Sequence, residues 1–219
     1  MNRPLYWLSH VFVRTFVNVW HRRSLTGASN LPSEGGVLVV GNHTSFLDPP
    51  LVGTSLRHEV RFMARETLLK IPFFGAWMRA VGTVFLPRGG DAKAAILTAC
   101  RLLTEGRVVC LFPEGSRSDD GAVGEFERGV LLILRRTPVP VLPLGIQGAR
   151  EAMGRGKNWP RPRKIRMRYA APLSPDEVLA PGGLEALRAQ VADLASAPVR
   201  PAEEPSNDST KATADKRSA

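Results

Sequence analysis

The chain has 219 residues, 43% of them hydrophobic and 23% charged, a composition that suits one globular domain with a sizeable core. Its two cysteines, Cys100 and Cys110, lie in apolar segments, and no Cys/His cluster has metal-ligand spacing. This excludes a disulfide framework and indicates a reducing compartment. The formal net charge of +10 is concentrated as +4 in residues 1–23 and +7 in residues 150–168, which indicates an anionic partner: a membrane surface, a nucleic acid or a phosphorylated ligand.

Residues 1–23 are predicted to form an amphipathic, membrane-associating helix. The apolar stretch from Leu5 to Trp20 is about sixteen residues long and contains an arginine, whereas a transmembrane helix needs ~20 apolar residues. No small-residue cleavage site follows, so a signal peptide is not expected. We expect the helix to lie in the membrane interface; docking on the domain core is the alternative, and the two are compatible. The polar face of this helix comprises Arg3, His10, Arg14, Asn18, His21 and Arg22.

From residue 24 to residue 196, predicted strands alternate with predicted helices, which indicates an α/β fold with an at least partly parallel sheet. The strand at 138–146 contains prolines, so we expect it to bulge or to lie at an edge of the sheet. Residues 197–219 lack apolar periodicity and are predicted to form a disordered tail. Strands are predicted at 37–40, 59–64, 83–86, 107–112, 138–146 and 164–170, and helices at 46–56, 75–80, 92–105, 126–136 and 184–195; a basic loop covers 150–163.

The central motif is a histidine and an aspartate, His43 and Asp48, just after the apolar run 37–40. In α/β proteins, catalytic groups tend to collect at strand ends. Asp48 could hold the imidazole in one tautomer, which would leave the other ring nitrogen as a base. From the spacing alone, the alternative is a polar turn in which Asp48 caps the next helix.

Further polar residues follow the other predicted strands. Arg65 and Arg88 each come just after a strand, and Glu114 with Arg117 follows the strand at 107–112. If the strands are neighbours, these residues share one rim of the sheet with His43. Arginines bind phosphate through charge-assisted, often bidentate hydrogen bonds, and Gly115 would allow a close approach of backbone to ligand. The set suits a substrate that carries a phosphate and a reactive hydroxyl.

Taken together, these segments resemble the glycerolipid acyltransferases that acylate lysophosphatidic acid. The resemblance covers residues 25–172, and the segments occur in the order and with the gaps of that family. Ser116 stands where the family usually has threonine, Arg65 where it often has lysine, and Pro87 where it commonly has a polar residue. The matching segments are Asn-His-Thr-Ser-Phe-Leu-Asp at 42–48, Gly-Thr-Val-Phe-Leu-Pro-Arg at 82–88, Phe-Pro-Glu-Gly-Ser-Arg-Ser at 112–118 and Val-Pro-Val-Leu-Pro at 139–143, with further matches at 64–75 and 126–129.

The resemblance implies a glycerol-3-phosphate acyltransferase-like fold and specific residue roles. His43 would be the general base and Asp48 the residue that orients it, while Arg88 and Arg117 would hold the acceptor phosphate. A covalent route through a serine is disfavoured, because neither Ser45 nor Ser116 lies in a Gly-x-Ser-x-Gly elbow. The residues implied in substrate binding are Arg65, Arg88, Glu114, Gly115 and Arg117.

The implied reaction moves a fatty acyl group from acyl-CoA or acyl carrier protein to the free hydroxyl of 1-acyl-glycerol-3-phosphate, making phosphatidic acid without a cofactor or a metal. We expect the helix at 1–23 and the basic loop to dock the domain on anionic lipid, at the cytoplasmic face of the inner membrane, as a peripheral or monotopic protein. Acyl carrier protein is a further partner if it is the donor.

Three other functions compete with this one. The acceptor could be another lysolipid, such as a lyso-ornithine lipid, or the protein could bind lipid at the membrane surface without catalysis. Nucleic-acid binding is disfavoured, because the basic loop has one aromatic residue, Trp159, and no recognised stacking module.

Overall fold

The computed structural model of the chain describes residues 3–70, 74–80, 82–86 and 92–201. Short 3₁₀ helices cover Ala28–Asn30 and Glu66–Lys70. The strands of this described part are β1 (Ser24–Thr26), β2 (Val37–Gly41), β3 (Val60–Arg65), β4 (Val84–Leu86), β5 (Val108–Leu111), β6 (Val141–Gln147) and β7 (Arg166–Tyr169), and its α-helices are α1 (Arg3–Trp20), α2 (Asp48–Gly53), α3 (Phe74–Ala80), α4 (Ala92–Thr104), α5 (Gly129–Arg136), α6 (Ala149–Met153), α7 (Pro175–Leu179) and α8 (Gly183–Ala195).

The strands form one sheet in the order β1-β7-β6-β2-β5-β3-β4, and every neighbouring pair is parallel except β6 with β7. All five residues of β2 are buried, as expected for a strand covered on both faces. Leu38 and Val40 belong to the core beneath α4, α5, α7 and α8, whereas Val37 and Val39 belong to the core shared with α1, α2 and α6. The predicted mixed, largely parallel sheet flanked by helices is therefore confirmed.

The proline-containing strand β6 lies between β7 and β2, so the prediction that it bulges or lies at an edge is wrong. Its register against β2 runs without a break from Val141 to Leu144. Val141 donates its N–H to Leu173 on the side away from β2. Pro143, two residues on, directs its ring nitrogen to the same side, opposite Ala170, whose N–H donates to the Pro143 carbonyl at 3.1 Å. The Ala170 carbonyl, which an N–H at position 143 would otherwise bond, accepts the Asn30 side-chain amide at 3.0 Å instead.

Helix α1 docks on the domain and keeps most of its large apolar side chains exposed. Tyr6 and Val17 are buried against the core. His10 and His21 are buried too, at 8% and 0% exposure, so their assignment to a polar outer face is wrong. None of the described helices is both long and apolar enough to cross a membrane. Among the exposed large apolar residues of α1 are Trp7, Leu8, Val11, Phe12, Val19 and Trp20.

Several boundaries differ from the sequence-based prediction. Strand β1 was not predicted, and helix α6 occupies the start of the predicted basic loop at 150–163. Helix α7 was not predicted, although Ser174 and Glu177 form a capping box that marks its start. The predicted tail does not lose its structure at residue 197, because Val199 forms a parallel bridge with Val123. Residues 202–219, the rest of that tail, lie outside the described residues.

Candidate active site

The parallel register of β2 and β5 places the two central motifs beside each other. Val40 pairs with Leu111, so His43 and Glu114 each lie three residues beyond a paired position. The two motifs meet in a hydrogen bond of 2.7 Å from the backbone N–H of His43 to Glu114 Oε1. Because β3 pairs with β5 on its other side, this edge of the sheet is the shared rim that the strand ends predicted.

His43 and Asp48 form a direct side-chain pair. His43 Nδ1 lies 2.8 Å from Asp48 Oδ2, and the Asp48 side chain is completely buried while that of His43 keeps 21% of its surface exposed. A carboxylate at Nδ1 favours the tautomer with the proton on that nitrogen, which leaves the lone pair on Nε2. The His43 ring also stacks on Phe112, with ring centroids 4.4 Å apart and planes inclined by 16°. The ring is thus held by a carboxylate and by an aromatic face.

The Asp48 carboxylate binds the turn that precedes helix α2 and does not cap the helix. Oδ2 accepts the backbone N–H groups of Thr44 at 2.7 Å and Ser45 at 2.8 Å, in addition to His43. The N-cap residue is Leu47, and it makes no side-chain capping bond. Asp48 Oδ1 is buried and has no hydrogen-bond partner among the described residues. Three donors on one oxygen fix the carboxylate in the orientation that the imidazole needs.

Two neighbouring residues hold the catalytic turn in place. Asn42 donates from Nδ2 to the Ile146 carbonyl and accepts the Ile146 N–H at Oδ1, so the end of β2 is fastened to β6. Ser45 is fully buried, and its hydroxyl donates to the Met153 carbonyl at 2.7 Å. A buried and hydrogen-bonded Ser45 has a structural role and is not an accessible nucleophile.

The Glu114 carboxylate bridges two backbone N–H groups. Oε1 accepts from His43, and Oε2 accepts from Gly124 at 2.9 Å. Burial raises the pKa of Glu114 above its ordinary value, while the hydrogen bonds from Gly124 and His43 oppose the shift. The resemblance implies that Glu114 takes part in substrate binding, and this stays a prediction; the contacts found here tie β2 to the chain after β5.

Arg117 lies over an aromatic ring at the mouth of the site. Its guanidinium carbon is 3.6 Å from the centroid of the Phe46 ring, a cation–π arrangement. Its Nη1 is buried and has no hydrogen-bond partner in the described part of the chain. Burial, and then the cation of Arg155, lower the pKa of Arg117 from its ordinary value. A guanidinium that still has a donor to satisfy is suited to bind an oxyanion.

A cavity of about 430 Å³ opens beside this arginine and has Glu114, Arg117, Arg155 and Arg200 in its lining. Arg155 and Arg200 were not singled out from the sequence. Arg155 binds Asp119 at 3.0 Å and donates to the Arg117 carbonyl at 3.2 Å. His43 is linked to this cavity through Glu114, which both lines it and accepts the His43 N–H.

The remaining predicted residues have different outcomes. Gly115 adopts a φ of +68°, and a Cβ there would come within 2.4 Å of Glu127 Oε1, so the turn itself requires glycine. The backbone of Arg65 ends β3 and pairs with Leu86 of β4. The Arg65 side chain and the whole of Arg88 lie outside the described structure, and their predicted roles stay predictions.

Comparisons with known proteins identify the family and agree with the fold. An acyltransferase family model matches residues 22–147. A 1-acyl-sn-glycerol-3-phosphate acyltransferase of Borreliella burgdorferi is 30% identical over 122 residues, which is 55% of this chain and 49% of that protein. A chloroplastic enzyme of the same name from Brassica napus is 36% identical over 141 residues, 63% of this chain and 40% of that protein. The matched part thus spans about half the length of these relatives or less.

A solved structure gives the same result for the fold. The crystal structure of the 1-acyl-sn-glycerophosphate acyltransferase PlsC from Thermotoga maritima superimposes with a TM-score of 0.69 at 29% identity, covering 84% of this chain and 79% of that one. Because the family model matches more than half of the chain and contains both the His43/Asp48 pair and the Glu114/Arg117 segment, this protein belongs to the acyltransferase family.

Proposed function

We propose that this protein transfers a fatty acyl group from an acyl thioester to the free hydroxyl of 1-acyl-glycerol-3-phosphate, producing phosphatidic acid for phospholipid biosynthesis. The observation that carries the proposal is the His43 ring, held by Asp48 and linked through Glu114 to a cavity that Arg117 lines. The relatives are named 1-acyl-sn-glycerol-3-phosphate acyltransferases, which supports lysophosphatidic acid as the acceptor.

In this mechanism His43 Nε2 takes the proton of the acceptor hydroxyl, and the alkoxide oxygen attacks the thioester carbonyl carbon. The tetrahedral intermediate then expels the thiolate, which receives that proton from the imidazolium. Asp48 stabilises the imidazolium that exists between the two transfers. General base catalysis of this kind typically contributes about 10²–10⁴ in rate. Since the donor is already an activated thioester, the mechanism needs neither a covalent intermediate nor a cofactor.

The arginines supply the selectivity for a phosphorylated acceptor. Arg117 has a buried donor directed away from any described partner, and we assign it the acceptor phosphate. Arg65 and Arg88 follow neighbouring strands, and we propose that they complete the phosphate site. The acyl donor is acyl-CoA or acylated acyl carrier protein, and an assay with both donors distinguishes them.

The proposal includes docking on an anionic membrane through α1 and the basic loop at 150–163. Leu8, Phe12 and Val19 of α1 are each about 70% exposed or more. Trp20 donates from Nε1 to the Pro160 carbonyl, and Trp159 beside it is 79% exposed. Aromatic and aliphatic side chains next to a cluster of arginines and lysines match a lipid interface, with each basic residue contributing about 1 kcal/mol near an anionic surface. We place the protein on the cytoplasmic face of the inner membrane.

The test is an assay of purified protein with lysophosphatidic acid, a lyso-ornithine lipid and other lysolipids, each with acyl-CoA and with acyl carrier protein. Product formation is followed by mass spectrometry. We expect phosphatidic acid at the highest kcat/KM. A higher kcat/KM with another lysolipid would make that lysolipid the acceptor. If no combination of lysolipid and acyl donor releases a thiol, the result would support a lipid-binding protein without catalysis.

A further inference from the structure

Residues 198–200, called the strap here, pair with the loop that follows the Glu114 motif. Val123 donates its N–H to the Pro198 carbonyl at 2.8 Å, and its own carbonyl accepts the Arg200 N–H at 3.0 Å. Val199 and Val123 thereby form a parallel bridge. The strap lies outside residues 22–147, the part matched by the family model. It joins the site only through tertiary contact.

A buried arginine of α8 clamps the strap from behind. Arg188 is 4% exposed, and its Nη2 donates to the Val123 carbonyl at 3.2 Å and to the Arg200 carbonyl. Its Nη1 binds Glu185 on the same helix at 3.2 Å. A charged group this deeply buried needs such partners, so the clamp and the strap depend on each other.

The side chain of Arg200 fastens the same loop at a second point. Its Nη2 lies 2.8 Å from Asp120 Oδ1, which also accepts the Ser118 hydroxyl at 2.8 Å and the Ala122 N–H at 3.0 Å. Hydrogen bonds from Arg200 and then Ser118 hold the pKa of Asp120 below its ordinary value. The carboxylate of Asp120 therefore stays ionised and gathers the loop around itself.

Two hydrogen-bonded paths lead from the strap to the backbone of His43. In the first, Asp120 binds Ser118, whose backbone N–H donates to the His43 carbonyl at 2.8 Å. In the second, Gly124, the residue after Val123, donates to Glu114 Oε2, and Glu114 Oε1 accepts the His43 N–H. Both peptide groups that flank His43 are thus held by the loop that the strap closes.

We propose that the strap is part of the active-site scaffold and that Arg200 is a positioning residue for His43. The proposal rests on the proposed function, in which His43 is the general base. Arg200 acts through Asp120 and Ser118 and does not touch the reacting atoms. Since small displacements of a catalytic group can change rates by up to 10²-fold, a looser strap lowers kcat while substrate binding is retained.

The test compares the full-length protein with its Arg200→Ala, Arg200→Lys and Asp120→Asn variants. Arg101→Ala is the matched control, because it removes an exposed arginine whose ion pair joins the last turn of α4 to Glu105, the residue that follows the helix. We expect kcat to fall roughly fivefold in Arg200→Ala with KM for both substrates within about twofold, and Arg200→Lys to recover most of it. Arg200→Ala combined with Asp120→Asn should fall no further than Asp120→Asn alone, because Arg200 acts through Asp120, which also binds Ser118 and Ala122.

Amide hydrogen exchange provides a readout that does not require turnover. In Arg200→Ala, exchange at Ser118 and Gly124 should become faster, while Arg101→Ala leaves both unchanged. An unchanged kcat, or a raised acceptor KM at unchanged kcat, would overturn the positioning role, as would unchanged exchange at both amides. If the wild-type protein acylates no lysolipid, the proposed function fails, and the exchange result alone then decides whether Arg200 holds the loop.

Discussion

His43 donates its backbone N–H to Glu114 Oε1 over 2.7 Å, so the proposed base is joined directly to the motif after the neighbouring strand. This contact follows from the register of two parallel strands, because both residues lie three positions beyond a paired residue. A displacement of Glu114 would therefore act on the backbone that carries the imidazole.

Removal of the base should abolish turnover without unfolding the protein. We expect His43→Ala and Asp48→Asn to lower kcat by about 10²–10⁴-fold, the usual contribution of general base catalysis. His58→Ala is the control, because His58 is an exposed histidine. Steady-state kinetics with circular dichroism measures both effects. Turnover near the wild-type rate in a folded His43→Ala protein would contradict the mechanism.

Arg117 should control acceptor binding. In Arg117→Ala we expect kcat/KM for the lysolipid to fall about 10–100-fold, because a charge-assisted hydrogen bond contributes about 1.5–3 kcal/mol. Arg117→Lys should recover only part of this, since an ammonium group cannot reproduce the planar contact with Phe46. Competition by inorganic phosphate, measured in parallel, should weaken in both variants. If Arg117→Ala left the KM for the acceptor unchanged, Arg117 would not bind the acceptor phosphate.

The exposed apolar side of α1 should control vesicle binding. We expect the triple substitution Leu8→Ser, Phe12→Ser and Val19→Ser to weaken binding to vesicles with anionic lipid at least tenfold, because these side chains are exposed and their loss leaves the domain core intact. Binding of the wild type should also weaken as salt is added. Leu132→Ser on α5 is the control, since that residue is exposed too. Sedimentation with vesicles measures the effect of the substitutions and the effect of salt. If the triple variant bound vesicles as well as the wild type does, docking through this side of α1 would be contradicted.

The buried histidines beneath α1 should make stability depend on pH. Burial lowers the pKa of His10 and of His21. The unfolded chain therefore binds more protons than the folded one just below the ordinary histidine pKa, and the free energy of unfolding falls as the pH falls through that window. We expect His10→Phe to flatten the decline. Unfolding curves between pH 7 and pH 5 test this, and identical slopes in His10→Phe and wild type would contradict it.

The site residues that could be identified from the sequence are those that directly follow a strand, because the pairing of the strands determines which residues lie beside them. His43, Asp48, Glu114 and Arg117 follow buried strands, and parallel pairing brings such positions together whatever the loops do. Arg200 could not be found this way, since its contact with Asp120 spans 80 residues and depends on how α8 returns to the sheet.

Two interpretations failed because a local rule was outweighed by a tertiary contact. Pro143 indicated an edge strand, but the Asn30 side chain donates to the Ala170 carbonyl opposite it, so the missing N–H of the proline is replaced inside the sheet. His10 and His21 fell on the polar side of α1, but they are buried together with the apolar residues Tyr6 and Val17, whereas Arg14 and Asn18 of the polar side stay exposed. Helical periodicity identifies the two faces of a helix; it does not say which face the protein core covers.

The hydrogen bond from the Ser45 hydroxyl to the Met153 carbonyl has a mechanical consequence. Met153 ends helix α6, and the rest of the basic loop, with the exposed Trp159, follows it. The turn that carries His43 and the loop proposed to contact lipid are therefore joined by this bond. On a bilayer, it would couple the depth of the loop to the height of the imidazole above the phosphate plane, so that docking brings the imidazole toward the hydroxyl of a lysolipid.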